Sequence, residues 1–196
     1  MTTDLATDIM VSLRHATAGP HARLEQALGL LKGVPDRSRF IVFLERLYGF
    51  HSRLEPALLR QSACAAFFQP RQRLGLLESD LIALGCADSR LRALPHCAEA
   101  FGLVQSDAAA TGIMYVLEGA TLGGHVINRS LAGLPWMPAE GLRSLDPHGA
   151  ETGAQWRAFG AFARDMQAQT GSEPILRGAE ACFALLADWL RPAFRS

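Results

Sequence analysis

Between Phe40 and Leu58 the chain places Phe40, Leu44, Leu47, His51, Leu54 and Leu58 at steps of four, three, four, three and four residues. Those steps hold one stripe of a 3.6-residue helix toward a core and would scatter over both faces of a strand. Asp36 and Ser38 are candidate caps for its start, just after Pro35. The same spacing recurs downstream. Leu74, Leu77, Leu81 and Leu84 form a second amphipathic segment that stops at Gly85. A third begins near Ser106-Asp107 and runs through Ile113, Val116 and Leu117 into a glycine cluster. A fourth spans roughly Gln155 to Gln169, and a fifth starts near Ser172 and carries Ile175, Ala179, Phe183, Leu186 and Leu190.

No segment sustains the two-residue alternation of a half-buried strand. Gly133 to Gly149, with its prolines and glycines, reads as a loop between helices. With 196 residues, no repeat and no linker, the economical reading is one all-α domain over residues 1–196, a bundle of about seven or eight helices. A hydrophobic content of 49% suffices for a core without staples.

Charge and cysteine usage narrow the function classes. The 19 basic residues balance 19 acidic ones, so the chain lacks the net basic footprint of a nucleic-acid binder. Lys32 is the one lysine, so any anion site here is an arginine site, suited to bidentate grip on carboxylates. Cys64, Cys86, Cys97 and Cys182 form no C-x-x-C pair and read as buried, reduced thiols. The N-terminal MTTDLATDIM lacks a signal-peptide pattern, and no run approaches the ~20 apolar residues of a membrane span. A cytoplasmic protein is expected. No zinc or di-iron ligand spacing occurs.

Two constellations carry chemistry. The first is Leu13 to Glu25, LRHATAGPHARLE. Pro20 suits the first turn of a helix and is expected to kink this segment or start a new helix. His21 and Glu25 then share a face at i, i+4, where a carboxylate can fix the tautomer of a metal-ligating histidine. Arg14 lies two helical turns before His21 and is placed to meet a ligand carboxylate. A surface His–Glu pair is the ordinary alternative.

The second constellation is Gly112 to Ile127, GIMYVLEGATLGGHVI. Four glycines inside one helix cost about 0.5–1 kcal/mol each relative to alanine. Either a flat ligand lies against the backbone at Gly119, Gly123 and Gly124, or another helix packs tightly there. No strand precedes it and no Gly-Lys-Ser/Thr follows, so a phosphate loop is disfavoured. His51 reads as a hydrogen-bonded core histidine, while His15, His96 and His148 read as surface or loop residues.

Together these segments resemble the biliverdin-producing heme oxygenases, especially bacterial ones found with phytochromes. LRHATAGPHARLE resembles the family's proximal helix, LYGFHSRLEPAL its next long helix, and YVLEGATLGGHVI its distal helix. GAQWRAFGAFARDM, Gly153 to Met166, resembles the helix whose basic residue meets a heme propionate. The resemblance implies an all-α fold and His21 as axial iron ligand with Glu25 as its partner. It implies Arg14 and Arg157, with Arg164 a weaker match, at the propionates, and Gly119, Gly123 and Gly124 as the wall on the other heme face. It implies heme as both substrate and cofactor, opened with dioxygen and electrons to biliverdin, carbon monoxide and ferrous iron. A ferredoxin or flavodoxin-type electron donor and a phytochrome as biliverdin acceptor follow from the same resemblance. One departure stands out: Ala120 occupies the position where many members carry a water-ordering aspartate. Thr121 and His125 are the candidate replacements. The rivals are a non-catalytic heme binder or sensor, and a heme-free enzyme of the same fold, such as a thiamin-degrading one, which would need a nucleophilic cysteine or polar cluster in its core.

Overall fold

The computed structural model describes residues 7–28 and 36–194. Lys32, Pro35 and the segment before Thr7 lie outside them. Among the described residues there are nine α-helices: α1 (Ile9–Leu28), α2 (Arg37–Leu58), α3 (Ala65–Phe68), α4 (Leu74–Ala83), α5 (Asp88–Arg92), α6 (Ala98–Gly102), α7 (Asp107–Leu131), α8 (Thr152–Thr170) and α9 (Glu173–Leu190). Three further 3₁₀ turns complete the regular structure, and no strand occurs among these residues. The all-α reading is therefore correct. The short α3, α5 and α6 have too few turns to leave a readable period. None of the helices is long and apolar enough to cross a membrane.

Local chemistry sets the ends of the long helices. Asp36 accepts a hydrogen bond from the Arg39 N–H at 3.1 Å and caps α2, so of the two candidates Asp36 is the cap. Ser106 does the same for α7 through Ala109 N–H at 3.1 Å. Gly85, at φ +86°, follows the end of α4 in a conformation that costs other residues energy.

Of the two expectations at Pro20, a new helix does not start there. α1 runs unbroken through the proline, and its first turn is anchored earlier, where Asp8 accepts from Met10 N–H at 2.8 Å. Asp8 is in turn gripped by Arg164 Nε at 2.5 Å, which holds its carboxyl below the usual carboxylate range. Arg164 thus ties α8 to the start of α1. Because α1 is continuous, Arg14 and His21 lie on one helix.

The stripe read from α2 is internal: Phe40, Leu44, Leu54 and Leu58 are fully buried. α7 and α9 form the most extensive helix pair, and two glycines explain how closely they approach. A Cβ on Gly112 would overlap the Ile175 carbonyl, and one on Gly178 would overlap backbone atoms of Ala109. Backbone thus packs on backbone at both points.

Gly112→Ala should therefore destabilise the protein by about 2 kcal/mol or more, because neither backbone can yield cheaply. For a chain of this size that lowers Tm by roughly 4–8 °C, measured by circular dichroism melting of the ligand-free protein. An unchanged Tm would contradict the close crossing.

Candidate functional site

α1, α2, α7, α8 and α9 enclose a cavity of about 780 Å³. Its walls are mainly apolar and aromatic, among them Phe43, Leu47, Phe50, Tyr115, Trp156 and Phe183. Such a volume, with a few convergent polar groups, suits a sizeable flat organic ligand.

From α1, Arg14, Thr17, His21 and Glu25 reach the cavity. His21 is half exposed, with Nδ1 3.4 Å from Glu25 Oε2, and its ring meets Phe183 edge-on at 5.9 Å between centroids. The imidazole is held by a carboxylate on one nitrogen while Nε2 remains available. Arg14 is exposed and meets no carboxylate among the described residues. Thr17 is buried, its hydroxyl donating to the Leu13 carbonyl at 2.7 Å.

From α7, Gly119, Ala120, Gly123 and Gly124 line the cavity. The glycine cluster divides by role. A Cβ on Gly124 would overlap the Leu145 carbonyl, so Gly124 admits the loop backbone. A Cβ on Gly123 would meet nothing within 4 Å, and one on Gly119 only the edge of Trp156 at 4.0 Å. Gly112 serves the α9 crossing. Close packing and an open cavity wall are both present, at different positions of one helix.

Thr121 and His125 do not line the cavity. The Thr121 hydroxyl donates to the Glu118 carbonyl at 2.6 Å, and His125 Nδ1 lies 2.7 Å from Asp146. Both side chains are committed elsewhere, one to its own helix and one to the loop after α7. Arg157 also stands outside the lining; it is exposed, one residue beyond Trp156, which does line it.

Behind α7 lies a buried charge network that the sequence reading missed. Arg73 is buried, lines the cavity and donates through Nη2 to the Leu117 carbonyl. Burial works against its charge, which Glu118 and Glu55 support. Glu118 is buried too, and burial pushes its carboxyl up against the opposing pull of Arg73 and Arg71. Arg71 Nε stands 3.8 Å and His148 Nε2 4.0 Å from the Glu118 carboxylate. His148 is thus a loop residue with a largely buried ring. On α2, Glu55 Oε1 lies 2.8 Å from His51 Nδ1 and accepts N–H groups of Arg73 at 2.8 Å and Leu74 at 3.0 Å. Burial would raise the Glu55 carboxyl, but these hydrogen bonds prevail and hold it below its ordinary value.

The family model described as heme oxygenase matches residues 7–192. The chain belongs to the heme oxygenase family. A protein named heme oxygenase from Xanthomonas campestris pv. campestris (strain 8004) is 32% identical over 164 residues, covering 81% of this chain and 92% of that protein. The solved structure of heme oxygenase from Leptospira interrogans superposes with a TM-score of 0.79 over 95% of this chain and all of that one, at 16% identity. That likeness attests the shared fold. Family membership makes the chain a heme-degrading enzyme, and the heme-free rival falls. Its thiols agree: all four cysteines are free and buried, none lines the cavity, and burial pushes Cys64 and Cys182 up to about 12.

The buried polar residues of the cavity that the sequence reading did not bring there are Thr17, His51, Arg73 and Ser144. His51 had a signal, since His51–Glu55 repeats the i, i+4 spacing of His21–Glu25. Arg73 and Ser144 had none.

Two outcomes follow. Gly123→Ala should leave the ligand-free protein as stable or up to about 1 kcal/mol more stable, from helix propensity, while weakening hemin about tenfold by filling the wall. Melting and Soret titration check both; a methyl that costs stability would mean the space is not open. Glu55→Gln should cost about 2 kcal/mol at neutral pH by urea unfolding. Because the folded-state carboxyl sits below its unfolded value, that stabilisation is complete above the unfolded pKa and disappears as pH falls through the folded one. The gap between wild type and variant should therefore close in acid; a gap that widened there would contradict an ionised Glu55.

Proposed function

We propose that this enzyme opens heme to biliverdin, carbon monoxide and ferrous iron, with His21 as the axial iron ligand. It would draw on dioxygen and on electrons from a ferredoxin or flavodoxin-type donor. The observation that carries this reading is a single apolar cavity shared by an available imidazole on α1 and bare helix backbone at Gly119 and Gly123 on α7. Glu25, facing Nδ1, favours coordination through Nε2 and strengthens the ring as a ligand.

The lining suits heme as substrate. Aromatic and aliphatic walls match the macrocycle, and Arg14, exposed on the same helix as His21, matches a propionate. Arg157, exposed beside Trp156, is the candidate for the second propionate. Heme supplies the iron and its redox chemistry. The protein binds, orients and excludes water. Gly119, Gly123 and Gly124 put no acidic side chain against the substrate, which leaves the ring itself as the target of oxidation. A neutral histidine ligand points the same way, since it lacks the electron push of a thiolate. We extend the reading to a one-domain cytoplasmic enzyme that hands biliverdin to a phytochrome.

His21→Ala is the test. Hemin should bind at least about tenfold more weakly, with a changed Soret band and no biliverdin on reduction in air. Unchanged affinity and an unchanged iron spectrum would overturn the ligand assignment.

A further inference from the structure

Four buried polar residues line the cavity: Thr17, His51, Arg73 and Ser144. Their capacities differ. The Thr17 hydroxyl already donates to Leu13 O, and Arg73 already donates to Leu117 O and stays protonated. Ser144 Oγ is buried without a partner, but a hydroxyl does not titrate in the neutral range. His51 alone combines a cavity position with a ring nitrogen that can either accept or donate.

His51 is also the better built of two His–Glu pairs on this cavity. His21–Glu25 spans 3.4 Å with both side chains half exposed, as suits a ring that must meet a ligand. His51–Glu55 spans 2.8 Å with both side chains nearly inaccessible. Glu55 is further locked by the N–H groups of Arg73 and Leu74, so its position does not depend on the histidine. With Glu55 ionised, the proton of a neutral His51 ring stays on Nδ1, and the Nε2 lone pair is left for the cavity. The ring's charged partner is Glu55 on its own helix; Arg73, before α4, binds Glu55 through its N–H, and Glu118 on α7 acts on Arg73.

We propose that His51 is a positioning residue of the heme oxygenase reaction, holding an ordered water inside the cavity through Nε2 while Glu55 fixes the ring. A buried water needs two or more polar partners, and the unpartnered Ser144 hydroxyl is a second group available in the same cavity. The wall at Gly119 to Gly124 offers no side-chain donor, and Ala120 adds only a methyl group. The held water supplies the hydrogen bond to substrate-derived oxygen that this wall lacks. This inference rests on the heme reading above.

The test compares wild type, His51→Phe, His51→Gln and Glu55→Gln, each loaded with hemin. Three quantities are read: hemin Kd, the C–O stretching frequency of the reduced carbon monoxide complex, and the rate of verdin formation. For His51→Phe we expect Kd within about threefold of wild type, a shifted C–O band, and verdin formation slowed about tenfold or more. His51→Gln, which keeps a hydrogen-bonding group, should recover part of both changes, and Glu55→Gln should shift the band. A native band and rate in His51→Phe would overturn the proposal. So would lost hemin binding in His51→Phe, which would mark an iron ligand, or equal losses in Phe and Gln variants, which would mark a packing role. If His51→Phe does not fold, Glu55→Gln decides, and an unmoved band there overturns the proposal. Wild type that takes up no hemin fails the functional reading and this inference together; normal wild-type uptake with unchanged variants fails this inference alone.

Discussion

Where α7 crosses α9, Gly112 lies against the backbone of Ile175 and Gly178 against that of Ala109. No residue with a Cβ fits at either point, so the crossing fixes how α7 sits in the bundle. Farther along the same helix, Gly119 and Gly123 then face open space instead of a neighbour. α7 is therefore packing element at one end and cavity wall at the other. The loop after α7 is drawn in by Gly124, which brings Leu145 and Ser144 to the cavity. The helix cost of these glycines is offset by close packing at Gly112 and Gly124, while at Gly119 and Gly123 it is left standing, as expected where function sets the residue.

The cavity is electrostatically divided. At its open side Arg14, His21 and Glu25 are exposed, and Arg14 meets no carboxylate among the described residues. On its inner side the charges are buried and face partners of opposite sign: Glu55 takes His51, Arg73 N–H and Leu74 N–H on one oxygen, while Glu118 faces Arg71 and Arg73. Interior charges of this kind are tolerated only when paired, and pairing makes them rigid. Polar groups at the mouth and paired groups within suit an acidic, partly apolar disc.

The long helices were legible in the sequence because each buries one face, and burial imprints a period. The stripe from Phe40 to Leu58, the cap at Ser106 and the stop at Gly85 all read directly. α3, α5 and α6 were not legible, because a helix of one turn carries no period. Pro20 does not start a new helix for a physical reason: proline removes one hydrogen bond, and tertiary packing of α1 can carry that loss. At the site, His21, Glu25, Arg14 and the glycine wall came from spacing and resemblance. Thr121 and His125 were named for their chemistry beside the glycines, but helix rotation turns them to Glu118 and Asp146. Arg73 and Ser144 reach the cavity through the fold alone, which no local pattern encodes. His51 was seen as a core histidine; that one residue can be both core and cavity wall appears only in three dimensions.

The central claim is that the α1–α7 cavity binds heme and turns it over. Its most direct test is an absorption titration of the wild-type protein with hemin, followed by reductant under air with catalase present. The account predicts a saturable Soret band that gives way to the broad red absorption of biliverdin. A Soret band that persists with several electron donors, or no saturable band at all, would contradict it.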